Sequence, residues 1–95
     1  MTKELQKIKR QIIPILKKAG VKKTEIFGSF ARGDFNKRSD VDLIVHLGSK
    51  MGLFEFVKLK EDLEKKLGRR VDMITPKSIH KLLRPHINRD KQKIY

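Results

Sequence analysis

The sequence has 95 residues, with 24 Lys and Arg against 11 Asp and Glu and a formal charge of +13. That length predicts one domain over residues 1–95, without room for a separate acceptor-binding domain. The absence of cysteine excludes a disulfide framework, thiol catalysis and thiolate metal sites, and predicts a reducing, cytoplasmic setting; a signal-peptide core and a bilayer-length apolar run are also absent.

Residues 4–19 place Leu5, Ile8, Ile12 and either Ile15 or Leu16 on one stripe, which predicts an amphipathic helix, bent at Pro14 and stopped by Gly20. A short strand follows over 22–27 and ends in Ile26 and Phe27. Ser29 is suited to cap a short helix that runs to Arg32 and stops at Gly33. Asp34 to Ser39 is polar and turn-forming apart from Phe35, a loop that leads into a second strand from Asp40 to His46. Gly48, Ser49 and Gly52 mark the next loop. A long helix then carries Leu53, Phe56, Val57, Leu63 and Leu67, with Phe54 and Leu59 widening its apolar face and Gly68 as its stop. Arg70 to Ile74 reads as a third strand. Thr75 and Pro76 read as the start of a last helix through Ile79, Leu82 and Leu83, interrupted or bent at Pro85. This alternation predicts a layered α/β (α+β) domain, a three-stranded sheet with helices on one face and the other partly open to a substrate.

The chemistry gathers between Gly28 and Asp42. Gly28 and Ser29 stand where a strand passes into a helix, and such a junction offers free backbone N–H groups to a phosphate, with glycine permitting close approach. Arg32 lies one helical turn on and can reach the same triphosphate. Asp40 and Asp42 alternate on a strand and so project from one face, an oxygen-donor pair suited to a hard cation such as magnesium. A bare pair of this kind is equally satisfied by a turn cap and a solvent-facing edge. Asp72, a third carboxylate between apolar neighbours on the next strand, makes a metal triad: two aspartates can bridge two magnesium ions while the third ligates, or deprotonates an attacking hydroxyl. Its plainer alternative is a surface residue that balances Arg69 and Arg70. His46, His80 and His86 are read as surface or supporting residues rather than ligands.

GS, ten residues, then DVD resembles the signature of the DNA polymerase beta-like nucleotidyltransferase superfamily, carried here by GSFARG and SDVDLIV. With the later aspartate of RVDMIT and the small size, the chain is similar to the minimal nucleotidyltransferase (MNT) branch, from roughly Phe27 to Tyr95. The resemblance implies a mixed sheet backed by helices, magnesium held by Asp40, Asp42 and Asp72, and nucleotide phosphates held at Gly28 and Ser29. It also implies a partner. Many MNT proteins are antitoxins encoded beside a HEPN-type toxin, a helical ribonuclease, and some silence it by transferring AMP from ATP to its tyrosine.

The expected function is therefore magnesium-dependent transfer of AMP from ATP to a protein hydroxyl. The alternatives are an antitoxin that acts by stoichiometric binding alone, a small-molecule nucleotidyltransferase, and a basic nucleic-acid-binding module. The last follows from the charge, which draws nucleic acid, acidic proteins and triphosphates alike. Yet the basic residues are spread along the chain and several pair with acids at helical spacing, as in Glu61 with Lys65 and Asp62 with Lys66. With one Tyr, five Phe and no Trp, a base-stacking platform is not visible, so direct nucleic-acid binding is not expected.

Overall fold

A computed structural model describes residues 2–49 and 51–95. Helix α1 (Lys3–Lys18) begins at Thr2, whose Oγ1 accepts a hydrogen bond from the Leu5 N–H at 3.1 Å. It buries Leu5, Ile8, Ile12 and Leu16, so Leu16 holds the fourth place on the stripe and Ile15 packs at its border. The helix continues through Pro14, which lies on the exposed face, where water can satisfy the carbonyl freed by the missing N–H.

Strand β1 (Lys23–Phe27) leads through the single turn of α2 (Ser29–Arg32) and a loop into β2 (Val41–His46). Helix α3 (Leu53–Leu67) follows, its first turn closed by Glu55 Oε2, which accepts from the Gly52 N–H at 3.1 Å. It returns the chain to β3 (Val71–Ile74). The β2–α3–β3 crossover makes β2 and β3 parallel, whereas β1 pairs antiparallel with β2. Helices α1 and α3 pack on each other and on one face of the sheet, over Ile26, Val41, Leu43, Val45, Val71 and Met73.

The C-terminal quarter departs from the expectation in two ways. In place of a helix from Thr75 there is a 3-10 turn (Pro76–Ser78), and helix α4 (Arg84–Asp90) forms only later. Ser78 closes the turn on itself, its hydroxyl donating to the Thr75 carbonyl, and Pro85 lies in the first turn of α4, where its missing N–H costs nothing. The chain then ends in β4 (Gln92–Lys93), antiparallel to β1, so the sheet has four strands in the order β3-β2-β1-β4 rather than three. Two residues are too few for a strand to announce itself by alternation. The mixed sheet backed by helices stands as expected. Its second face is not open throughout: Ile44 and Glu25 are buried there, the 3-10 turn lies against β2, and Lys91 reaches Glu25. Among the described residues, no helix is long and apolar enough to cross a membrane.

Candidate functional site

The parallel register sets Asp42 directly opposite Asp72, and the antiparallel register sets Asp42 opposite Phe27, the residue before Gly28. Three segments thus meet at one end of the sheet, with adjacent strands roughly 4.8 Å apart. Asp40 lies just before β2, on the same parity as Asp42. Asp42 is half-buried and Asp72 exposed. Burial, then the negative charges of Asp72 and Asp40, push the Asp42 carboxyl up from 3.8 to about 6, against a smaller opposing pull from Arg32. Asp72 and Asp40 thus both act on Asp42. In a protein of charge +13, three of the eleven acidic residues thus stand together at one end of the sheet. Neither Arg69 nor Arg70 forms an ion pair with Asp72 among the described residues.

Gly28 fits between Asp42 and the helix turn. Its φ of 75° and ψ of −153° lie where side chains are not tolerated, and a Cβ built there would overlap the Asp42 carboxylate. Gly28 rather than Ser29 occupies the N-cap of α2, and Ser29 is the first helical residue. The Arg32 Nε donates to Asp34 Oδ2 at 3.2 Å, and its guanidinium is 3.9 Å from Asp90. Gln92 Nε2 donates to the Ala31 carbonyl at 2.9 Å, so the chain's last residues brace this turn.

Several supporting residues escaped the sequence reading. The Arg69 guanidinium lies 4.9 Å from the centre of the Phe30 ring, which stacks on Phe35 at 4.5 Å. Its Nη1 donates to the carbonyls of Ser39 at 2.9 Å and, at longer range, Asn36 at 3.4 Å. Glu64 Oε2 accepts from the Val71 N–H at 3.0 Å and so fixes the start of the strand that carries Asp72. On the sheet's second face Glu25 is bonded to His46 Nε2 at 3.0 Å and paired with Lys91 at 3.4 Å. His46 thus belongs to a structural cluster away from the carboxylates, and His80 accepts a local hydrogen bond from the Leu82 N–H.

Among the described residues no three His, Cys, Asp or Glu side chains converge as a ready-made metal cluster. The aspartates nonetheless suit magnesium, which is bound through one or two carboxylates and completes its shell with waters and substrate phosphates. A separate groove of about 720 Å³ lies between α1 and α3, lined by Ile15, Leu59 and alternating lysines and acids such as Lys58 and Asp62. It has none of the three aspartates in its wall. The three aspartates stand at the end of the sheet, outside this interhelical furrow.

The model of the nucleotidyltransferase domain family matches residues 9–94. The chain belongs to that family. The match takes in α1 as well as the stretch from Phe27 onward in which the signature is readable. A candidate protein adenylyltransferase of Methanocaldococcus jannaschii is 48% identical over 83 residues, covering 87% of this chain and 89% of that protein. A candidate minimal nucleotidyltransferase of known structure superposes with a TM-score of 0.78 at 29% identity, covering 94% of this chain and 91% of the other. The complex of a tri-AMPylated Shewanella oneidensis HEPN toxin with its MNT antitoxin shares the fold, with a TM-score of 0.71 at 18% identity over 95% of this chain and 71% of the other. As a nucleotidyltransferase, the chain places Gly28, Ser29, Arg32, Asp40, Asp42 and Asp72 all inside the matched span.

Proposed function

We propose that this nucleotidyltransferase transfers AMP from ATP to a hydroxyl of a partner protein, a tyrosine of a HEPN-type toxin, and so acts as the antitoxin of the pair. The observation that carries the reading is the direct opposition of Asp42 and Asp72 with Gly28 pressed against Asp42. This brings a phosphate-approach turn and two carboxylates to one point. The relatives named above support the choice of AMP and of a protein acceptor.

Asp40, Asp42 and Asp72 would hold magnesium, as two ions, whose chemistry is to neutralise the triphosphate and the charge that develops at the α-phosphorus. Asp42 must be ionised to serve. The backbone around Gly28 and Ser29 takes the phosphates, with Arg32 beside them as a positive charge. Asp72, the exposed member, faces the incoming acceptor and takes the proton of its hydroxyl. The acceptor oxygen bonds to the α-phosphorus, the bond from that phosphorus to the β-phosphate oxygen breaks, and pyrophosphate leaves with the electron pair.

The test incubates the protein with ATP labelled at the α-phosphate, magnesium and the toxin encoded beside it. Label is expected on the toxin, lost when toxin tyrosines are replaced by Phe and lost with Asp42→Asn. Protection of cells by an Asp40, Asp42 and Asp72 triple Asn variant would overturn the catalytic reading in favour of binding alone.

A further inference from the structure

We infer that Arg69 is the positioning residue that holds the parts of this site in register, fixing Asp40 through the loop before it. The inference rests on the metal-dependent reading above. Arg69 touches neither ATP nor the carboxylates in this proposal; it acts through what it holds.

Three segments must agree for the site to work: the α2 turn, the loop Asp34–Ser39 that delivers Asp40, and β3 with Asp72. Arg69 contacts or adjoins each. Its guanidinium lies over Phe30 of α2, at 4.9 Å. Its Nη1 donates to the carbonyl of Ser39, the residue before Asp40, at 2.9 Å and more weakly to that of Asn36. It stands two residues before β3 and three before Asp72.

The loop has its own short-range bonds, from the Asn36 N–H to Ser39 Oγ, the Arg38 N–H to Asn36 Oδ1 and the Ser39 N–H to the Asn36 carbonyl. These shape the loop but do not tie it to the sheet. At its start the loop is tied to α2 through Asp34 and Phe35, and past its end the Val41 N–H donates to the Arg70 carbonyl; between these points Arg69 bonded to Ser39 supplies the side-chain tie. A guanidinium suits the task because one planar group can stack on a ring with its face while its edge donates to carbonyls. A lysine ammonium keeps the charge and can donate to a carbonyl but has no planar face to stack on the ring.

The test compares wild type, Arg69→Lys and Arg69→Gln by electron paramagnetic resonance titration of Mn2+ in the presence of ATP, beside thermal melts and AMP transfer. Groups that orient ligands from outside the coordination shell are worth about 10- to 100-fold in metal affinity or activity. A loss of about that size in Mn2+ affinity is expected in both variants while they remain folded at the assay temperature. AMP transfer by Arg69→Lys is expected to recover in part at high divalent cation. Wild-type Mn2+ affinity in folded Arg69→Lys and Arg69→Gln overturns the inference, as does a loss that appears only where both variants have melted. If wild type with ATP holds no Mn2+, the metal-dependent reading itself falls and takes this inference with it.

Discussion

Gly28 is held by two independent constraints, a backbone conformation reserved for glycine and the absence of room for a Cβ beside the Asp42 carboxylate. Gly28→Ala is expected to cost about 1–3 kcal/mol in urea unfolding, the range for a residue forced into a sparsely populated region, and to abolish AMP transfer by displacing Asp42. Asp42 gives a pH signature. Its folded pKa of about 6 exceeds the ordinary 3.8, so between those values the folded state binds more protons than the unfolded chain. Stability contributed by this group is therefore present at low pH and falls as pH rises through that window. Without divalent metal, Asp42→Asn is expected to melt higher than wild type at about pH 7 and to lose that advantage below about pH 4, as followed by melting temperature against pH. Magnesium competes with the proton and should narrow the gap at about pH 7, while AMP transfer should fade as pH drops below about 6.

At the scale of elements, α3 shows how an apolar stripe read from sequence divides between core and solvent. Leu63 is 0% exposed, packed between α1 and the sheet, whereas Phe54 is 91% exposed at the start of the helix. Phe54 thus lies outside the apolar face it was expected to widen. It lies in the first turn of α3 with its side chain in solvent. Leu63→Ala is expected to cost about 2–5 kcal/mol, Phe54→Ser to stay within about 0.5 kcal/mol, both read from denaturant midpoints. On the other face of the sheet, Glu25 clasps β1, β2 and the approach to β4. Burial alone would raise its pKa, but the hydrogen bond to His46 and the charge of Lys91 outweigh that and leave it below the ordinary 4.5. A lowered folded pKa means that this stability is present above the unfolded value and is lost as pH falls through the folded one. Glu25→Ala is expected to cost about 1–3 kcal/mol at neutral pH, less in strong acid, measured by the same unfolding series. At Glu25 5% of the residue is exposed, enough burial that an unpaired His46 or Lys91 would feel the loss.

For the whole molecule, the distribution of charge matters more than its sum. The chain carries a formal charge of +13, yet at one end of the sheet the charges of Asp72 and Asp40 both act on Asp42, opposed by Arg32. On the proposed function, a metal-bound triphosphate would gain there, since the cation would relieve the carboxylates and the net positive charge of the protein attracts phosphates. Magnesium with ATP at about a hundred times its dissociation constant is expected to add about 2.7 kcal/mol of stability, seen as a rise in melting temperature. Asp42→Asn and Asp72→Asn should each remove most of that rise while leaving the fold intact. ATP without a divalent cation should give little of it.

The signature from Gly28 to Asp42 was legible in the residues because strand parity and glycine placement are local properties, fixed by backbone geometry within a few positions. The existence of α1, the strand cores and α3 was legible in the same way, whereas which apolar residues of α3 face the core was not: Leu59 and Leu63 are buried, Leu53, Phe54 and Val57 exposed. The C-terminal quarter was not legible. The two residues of β4 have no period of their own and become a strand only because β1 offers an unpaired edge. Asp72 could be suspected from its apolar neighbours, but its place opposite Asp42 depends on the β2–α3–β3 crossover and a parallel register. The roles of Arg69, Glu64 and Glu25 are not legible in sequence, since their partners lie 30, 7 and 21 residues away. What the sequence by itself determined was the nucleotide signature and the layered helix-and-sheet class, both set by short-range spacing. Only the tertiary structure decided which carboxylates face one another, which charges are buried and what holds the loop before Asp40, because those are settled by packing between segments distant along the chain.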